Sequence, residues 1–334
     1  MKQQNYFLLI LSAFFLITSC KNDATAVQEA PSATKPKTVK VPSFKQDSAF
    51  AHIEKQLSFG IRVPGTPTHK ACKDWMVSKF KSYGADVIEQ NFTANIYNGE
   101  KWPSTNIIAQ FNKDKKKRVI LSAHWDSRFI AEMDPSKGKR DQPIPGADDG
   151  GSGTGVLIEI ARLIQENPID LGIDIILWDA EDQGDPSKTP VPDSWCLGSQ
   201  YWAKNKHVNN YRADWGINLD MIGAKNPRFG KDDASKVFAG TLLNKVWTLA
   251  QNMGYSDMFV NEDTGGLTDD HLYVGREGKV PMIDIINQPR DTETHFMDKW
   301  HTHGDDIDNI SKRSLKVVGQ VVTAVIYKES IGIL

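Results

Sequence analysis

Cysteine is scarce: the 334 residues contain three, at positions 20, 72 and 196. A fold stapled by several disulfides is therefore excluded. Only Cys72 and Cys196 fall in the region expected to fold. An oxidising compartment permits a disulfide between them, and two unpaired core thiols fit equally well. A strong charge of one sign is also lacking. The net charge is −2, so no global basic field recruits nucleic acid. The basic run at 113–118 is short and sits between two apolar strand-like stretches, which predicts a solvated hairpin turn. No internal repeat and no long linker interrupt residues 42–334, which are expected to form a single domain.

The first twenty residues differ in kind. Lys2 gives a positive start, residues 6–17 are largely apolar, and small residues lead to Cys20. This predicts an export signal over residues 1–20, too short for a comfortable membrane span. The residues before Cys20 resemble a bacterial lipobox, which implies a lipidated Cys20 and a lipoprotein of the periplasm or outer membrane. Membrane contact is then expected only through that lipid. Residues 21–41 are rich in Lys, Ala, Thr, Ser and Pro and read as a flexible tether.

Beyond residue 41, helical spacing of apolar residues appears over 47–57, 68–81, 153–165, 242–253 and 311–326. Strand-like stretches cover 87–97, 105–111, 118–123, 173–178, 215–219 and 280–286. The run 173–178 is apolar except for Asp174, close to what a strand buried on both faces requires. This alternation predicts an α/β fold: a three-layer α/β/α sandwich around a mixed, mostly parallel central sheet, with an antiparallel edge drawn from 87–123.

Open α/β sheets bind ligands beyond the carboxyl ends of their strands. Acidic and histidine residues gather at such places. His124 follows the strand at 118–123, and Asp148 and Asp149 lie in a Gly-rich turn that opens a helix. Glu181 and Asp182 follow 173–178, Asp220 follows 215–219, and His301 comes near the end of the chain, directly after Trp300. Singly, each has an ordinary reading: a helix cap, a solvated loop, a surface histidine. Together, carboxylates ending apolar strands are costly to desolvate without a partner, and zinc with Asp and His ligands supplies one.

The order and residue types of these stretches resemble the zinc aminopeptidase superfamily, which also contains the animal-type glutaminyl cyclases. The resemblance runs from about residue 45 to the C-terminus. It implies that Asp149, Asp182 and His301 hold one Zn2+, that Glu181 is a general base, and that His124 and Asp220 form a second-metal or outer pair. Asp182 stands where the family usually has Glu, so its loop must sit closer to the metal.

Three features are similar to the cyclases in particular. Phe296 and Trp300 match aromatic walls of the cyclase pocket. Asp269, Asp270 and His271 resemble a stretch whose first Asp is catalytic, and residues 221–227 resemble the cyclase sequence after its catalytic Asp, here Asp220. Asp284 departs from the animal cyclases, which carry His there, and puts the outer hydrogen-bond network in question. The implied reaction converts N-terminal Gln of peptides or proteins to pyroglutamate with release of ammonia. Because every dizinc ligand position is filled, hydrolysis of N-terminal residues by a dizinc aminopeptidase stays open. The Pro-rich insert at 185–193 is expected to rim the pocket, with Trp195 either walling it or packing in the core.

Overall fold

The apolar runs become a six-stranded sheet. Its strands are β1 (Asp86–Asn95), β2 (Lys101–Phe111), β3 (Arg118–His124), β4 (Gly172–Trp178), β5 (Trp215–Asp220) and, last in the chain, β8 (Met282–Ile286). A second, two-stranded sheet pairs β6 (Phe229–Asp232) with β7 (Phe259–Gly265). The structure, a computed structural model, describes residues 37–334. The expected export signal, Cys20 and most of the expected tether lie outside these residues. Val39 and Val41 already pack against the core. No described helix is long and apolar enough to cross a membrane.

The spatial order is β1-β2-β4-β3-β5-β8. The pairs β1/β2 and β2/β4 are antiparallel, whereas β4/β3, β3/β5 and β5/β8 are parallel. One face carries α1 (Gln46–Leu57), α2 (Pro67–Ser82), α3 (Gly151–Glu166), α5 (Asp233–Asn252) and α7 (Lys312–Ser330). The other is covered by α4 (Leu197–Lys204) and α6 (Asp270–Arg276). The three-layer α/β/α expectation is met.

Strand β4 shows why. Ile173, Ile175 and Leu177 enter the larger core, while Ile176 and Trp178 point into the smaller one beside Trp202 and Val274. Each such side chain contributes ~1.5–3 kcal/mol by leaving water. The lone acid, Asp174, is buried but accepts from Arg118 Nη1 at 2.6 Å and from Gln110 Nε2 at 3.2 Å. Helix α2 starts as its sequence demands, with Pro67 in the first turn and Thr66 Oγ1 accepting from His69 N.

Two expectations change. The 113–118 run is not a hairpin turn, because β4 lies between β2 and β3. Strand β3 takes two parallel neighbours and becomes interior, so the antiparallel edge comes from β1 and β2 alone. Cys72 and Cys196 are both free and buried, so no disulfide joins them. Strands β6 and β7 and the short helices α4 and α6 were not anticipated.

Strands β4, β3 and β5 run side by side in one direction, and the chain passes from β3 to β4 on one side and then crosses back to β5 on the other. Their carboxyl ends therefore open a crevice at a topological switch point.

Candidate metal centre

The Gly-rich turn is fixed before it reaches its acid. Buried Arg62 donates to the carbonyls of Trp125, Pro145 and Gly146 at 2.8, 2.8 and 2.6 Å. Asp305 accepts from the backbone N–H of Asp148 and Asp149 at 2.9 and 3.1 Å. Asp148 Oδ1 in turn accepts from Gly223 N at 2.6 Å. Gly150 then turns the chain at φ 79°, and a Cβ there would meet His124 Cε1 at 2.9 Å, so only glycine fits. Asp149 is left at the head of α3, aimed at the crevice.

The loop after β4 is gripped by Asp126, whose carboxylate accepts from the backbone N–H of Glu181 and Asp182, both at 3.2 Å, and from Gln183 Nε2 at 2.8 Å. Five residues beside the expected site residues, or among them, sit in the left-handed region: Ala180, Cys196, Met221, His295 and His301. Such backbone costs about 1–3 kcal/mol each and persists where the surroundings hold it.

The three expected ligands meet. One donor atom each from Asp149, Asp182 and His301 lie within 4.8 Å of one another. His301 Nε2 is 3.0 Å from Asp182 Oδ1 and 3.7 Å from Asp149 Oδ2. Asp149 Oδ2 and Asp182 Oδ2 are buried without a partner among the described residues. Orphaned carboxylate oxygens beside an imidazole, three donors in all, suit a zinc ion with an open position.

His124, Asp149 and Asp220 form an adjoining group. His124 Nε2 lies 2.9 Å from Asp149 Oδ1 and 3.2 Å from Asp220 Oδ1, so one ring nitrogen faces both carboxylates. Glu181 is close, its Oε2 being 3.8 Å from His124 Nδ1. Asp269 caps α6, and Asn218 Nδ2 donates to its Oδ1 at 3.2 Å and to Asp284 Oδ1 at 3.4 Å. Asp284 Oδ2 faces His271 Nδ1 at 3.5 Å, so the aspartate keeps a place in a buried network.

The acids here outnumber the cations, and their protonation reflects it. Burial pushes Asp182 up to about 6, with the charge of Asp149 adding to the effect. Burial likewise lifts Asp220 to about 8, aided by Asp269. Glu181 is raised well above the usual range by burial and by its carboxylate neighbours, against the pull of His124. Burial opposes a charged His301, yet Asp182 and the other acids beside it raise its pKa. A divalent cation held by these donors would balance that negative charge.

A cavity of 480 Å³ opens over these groups. Phe296 and Trp300 lie side by side on its wall with ring centroids 4.6 Å apart, and Trp300 stacks on His301 at 3.6 Å. Pro190, Val191 and Pro192 of the insert line it as well. Trp195 also lines the cavity and stacks toward His301 at 5.9 Å, which makes it a wall rather than core packing.

Three contributors were not anticipated. Glu132 Oε1 is 2.7 Å from His301 Nδ1, and Arg128 donates to Glu132, to the carbonyls of Asp182 and Gly184, and packs on Trp195 at 4.5 Å. Asp305 is the third. All three come from loops with no fixed spacing to the motifs they support.

Together, the fold and donor set define a zinc-type α/β metalloenzyme. The chain belongs to peptidase family M28, whose model matches residues 106–326. It is 47% identical to a Zn-dependent exopeptidase from Parabacteroides distasonis, with a TM-score of 0.85 over 86% of this chain and 99% of that one. It is 46% identical to Tannerella forsythia glutaminyl cyclase, with a TM-score of 0.84 and the same coverage. It is also 32% identical over 220 residues to Aminopeptidase YwaD of Bacillus subtilis, spanning 63% of this chain but only 40% of that relative. Zinc is the cofactor common to this family and these donors.

Proposed function

We propose that the enzyme is a glutaminyl-peptide cyclotransferase, converting N-terminal Gln of peptides or proteins to pyroglutamate and releasing ammonia. The observation that carries this is the paired aromatic wall of Phe296 and Trp300, the second of which stacks on His301. Flat rings there fix a folded Gln side chain and crowd out an ordered attacking water. The likeness to the Tannerella forsythia cyclase over nearly its whole length supports the same reading.

Asp149, Asp182 and His301 would hold one zinc ion, which when bound supplies Lewis acidity toward the substrate's side-chain amide. The peptide's α-amine, with a reference pKa of about 8, attacks that carbon in its neutral form. Glu181 takes the proton the amine sheds and delivers it to the departing nitrogen, a service that contributes ~10²–10⁴-fold. Asp220 and Asp269 hold the amine and the leaving nitrogen through hydrogen bonds. One C–N bond forms, one breaks, and no water is consumed.

The second reading, a dizinc aminopeptidase, draws on the meeting of His124, Asp149 and Asp220. Mass spectrometry of a Gln-initiated and a Leu-initiated peptide incubated with purified enzyme separates the two. Loss of one ammonia from the first peptide alone supports cyclisation; shortening of either by one residue supports the peptidase. The export signal and lipidated Cys20 are part of the same proposal. They place the enzyme beside newly exported proteins, and loss of lipid labelling in Cys20→Ala tests the anchor.

A further inference from the structure

Glu181 has two carboxylate oxygens with different surroundings. Oε1 lies 3.1 Å from the sulfur of Cys196. Oε2 has no hydrogen-bond donor among the described residues and lies beside His124 at 3.8 Å. Cys196 is wholly buried and stands just before α4 in the left-handed conformation at φ 58°. That conformation is imposed by a backbone clamp: Cys196 N donates to the carbonyl of Glu181 at 2.8 Å, and Leu197 N to that of Ala180 at 3.1 Å. The clamp fixes the distance between the thiol and the carboxylate, so their contact is built into the loop.

We propose that Cys196 is a positioning residue for the base: its S–H donates to Glu181 Oε1 and leaves Oε2 as the oxygen presented to the reacting nitrogen. This rests on Glu181 as the proton carrier but holds for either N-terminal reaction. Two further observations agree. Donor atoms of Glu181, Cys196 and Asp269 all lie within 4.8 Å of one another, which sets the thiol beside both the proton carrier and one of the two carboxylates assigned to hold the reacting nitrogens. Burial, with Glu181, Asp270 and Asp269 adding to it, holds the thiol protonated, so it has a hydrogen to give. The residue is too enclosed to serve as a nucleophile, and nothing in the reaction calls for one.

The test compares Cys196→Ala and Cys196→Ser with wild type on whichever N-terminal activity wild type displays, so a failure of the cyclase reading appears in the wild-type product and not in the ratio. Cys196→Ala is expected to lower kcat about tenfold, the order of one lost orienting hydrogen bond, with KM and bound zinc unchanged. Cys196→Ser restores a donor and is expected to recover most of kcat. Should the alanine variant fail to fold, Cys196→Gly replaces it, because glycine suits the left-handed backbone. Wild-type kcat in the variant without a donor overturns the assignment. So does a serine variant as slow as that one at equal melting temperature, since then volume and not the donor matters.

Discussion

Replacing Glu132 asks whether the metal centre extends beyond its three donors. Its Oε1 touches His301 Nδ1 at 2.7 Å, the ring nitrogen turned away from Asp149 and Asp182. Arg128 Nε donates to both its oxygens at 2.8 Å. Burial pushes this carboxyl up, but His301 and Arg128 more than offset that and hold it at about 2, so it is an anion at neutral pH. An anion behind a ligating imidazole fixes its tautomer and raises its basicity, and losing one typically costs about 10–100-fold in metal affinity. Glu132→Gln keeps an acceptor for the imidazole N–H and removes only the charge, so the low end, about tenfold, is expected. Glu132→Ala removes both and frees Arg128, so about 100-fold is expected. Stranding a buried cation costs about 3–5 kcal/mol. The lower figure applies, because Arg128 keeps the carbonyls of Asp182 and Gly184 at 2.8 and 3.2 Å. Zinc competition against a chromophoric chelator reads the affinity, and urea unfolding of the metal-free proteins reads the stability. Zinc binding within twofold of wild type in Glu132→Ala would remove Glu132 from the metal centre.

Glu181→Gln should keep its zinc and lose about 10²–10⁴-fold in kcat, since only the proton carrier is gone; near-normal turnover removes Glu181 from that role. Gly184→Ala places a methyl group inside the Trp195 indole, so the ring must leave its stack on His301. A loss of about 1–3 kcal/mol and a raised KM are expected, and an unchanged KM with an unchanged urea midpoint contradicts it. Acid should weaken the fold through His207. Burial, then Lys206 and Arg118, lowers this imidazole to about 4, and Trp202 Nε1 donates to its Nδ1 at 2.9 Å, a bond that needs the unprotonated nitrogen. Unfolded, the residue titrates near 6.5, so between about pH 6.5 and 4 the unfolded chain binds more protons and stability is lost as the pH is lowered. Relative to His207→Gln, wild type should lose about 2–3 kcal/mol across that window, read from urea midpoints; parallel pH profiles would contradict it.

Most of the fold was legible because strands buried on both faces must be mostly apolar, as at β4 and β5. The neighbours of each strand were not. Nothing local in 113–118 shows that β4, far later in the chain, inserts between β2 and β3. Helices α4 and α6 have eight and seven residues, too few turns to show a period. At the site, carboxylates ending strands advertise themselves by their cost. Glu132, Arg128 and Asp305 do not, because a loop residue's meeting with His301 or Asp149 is decided only by tertiary folding. Cys196 was noticed for a disulfide it does not make, and its contact with Glu181 depends on a backbone clamp that no pattern announces.

The most direct measurement is turnover of a Gln-initiated peptide in water enriched in oxygen-18. Ring closure takes no oxygen from solvent, so one ammonia released per turnover and a pyroglutamyl product without label are expected. A product carrying one solvent oxygen in a newly formed carboxyl group would mean that water, and not the peptide's own amine, is the nucleophile.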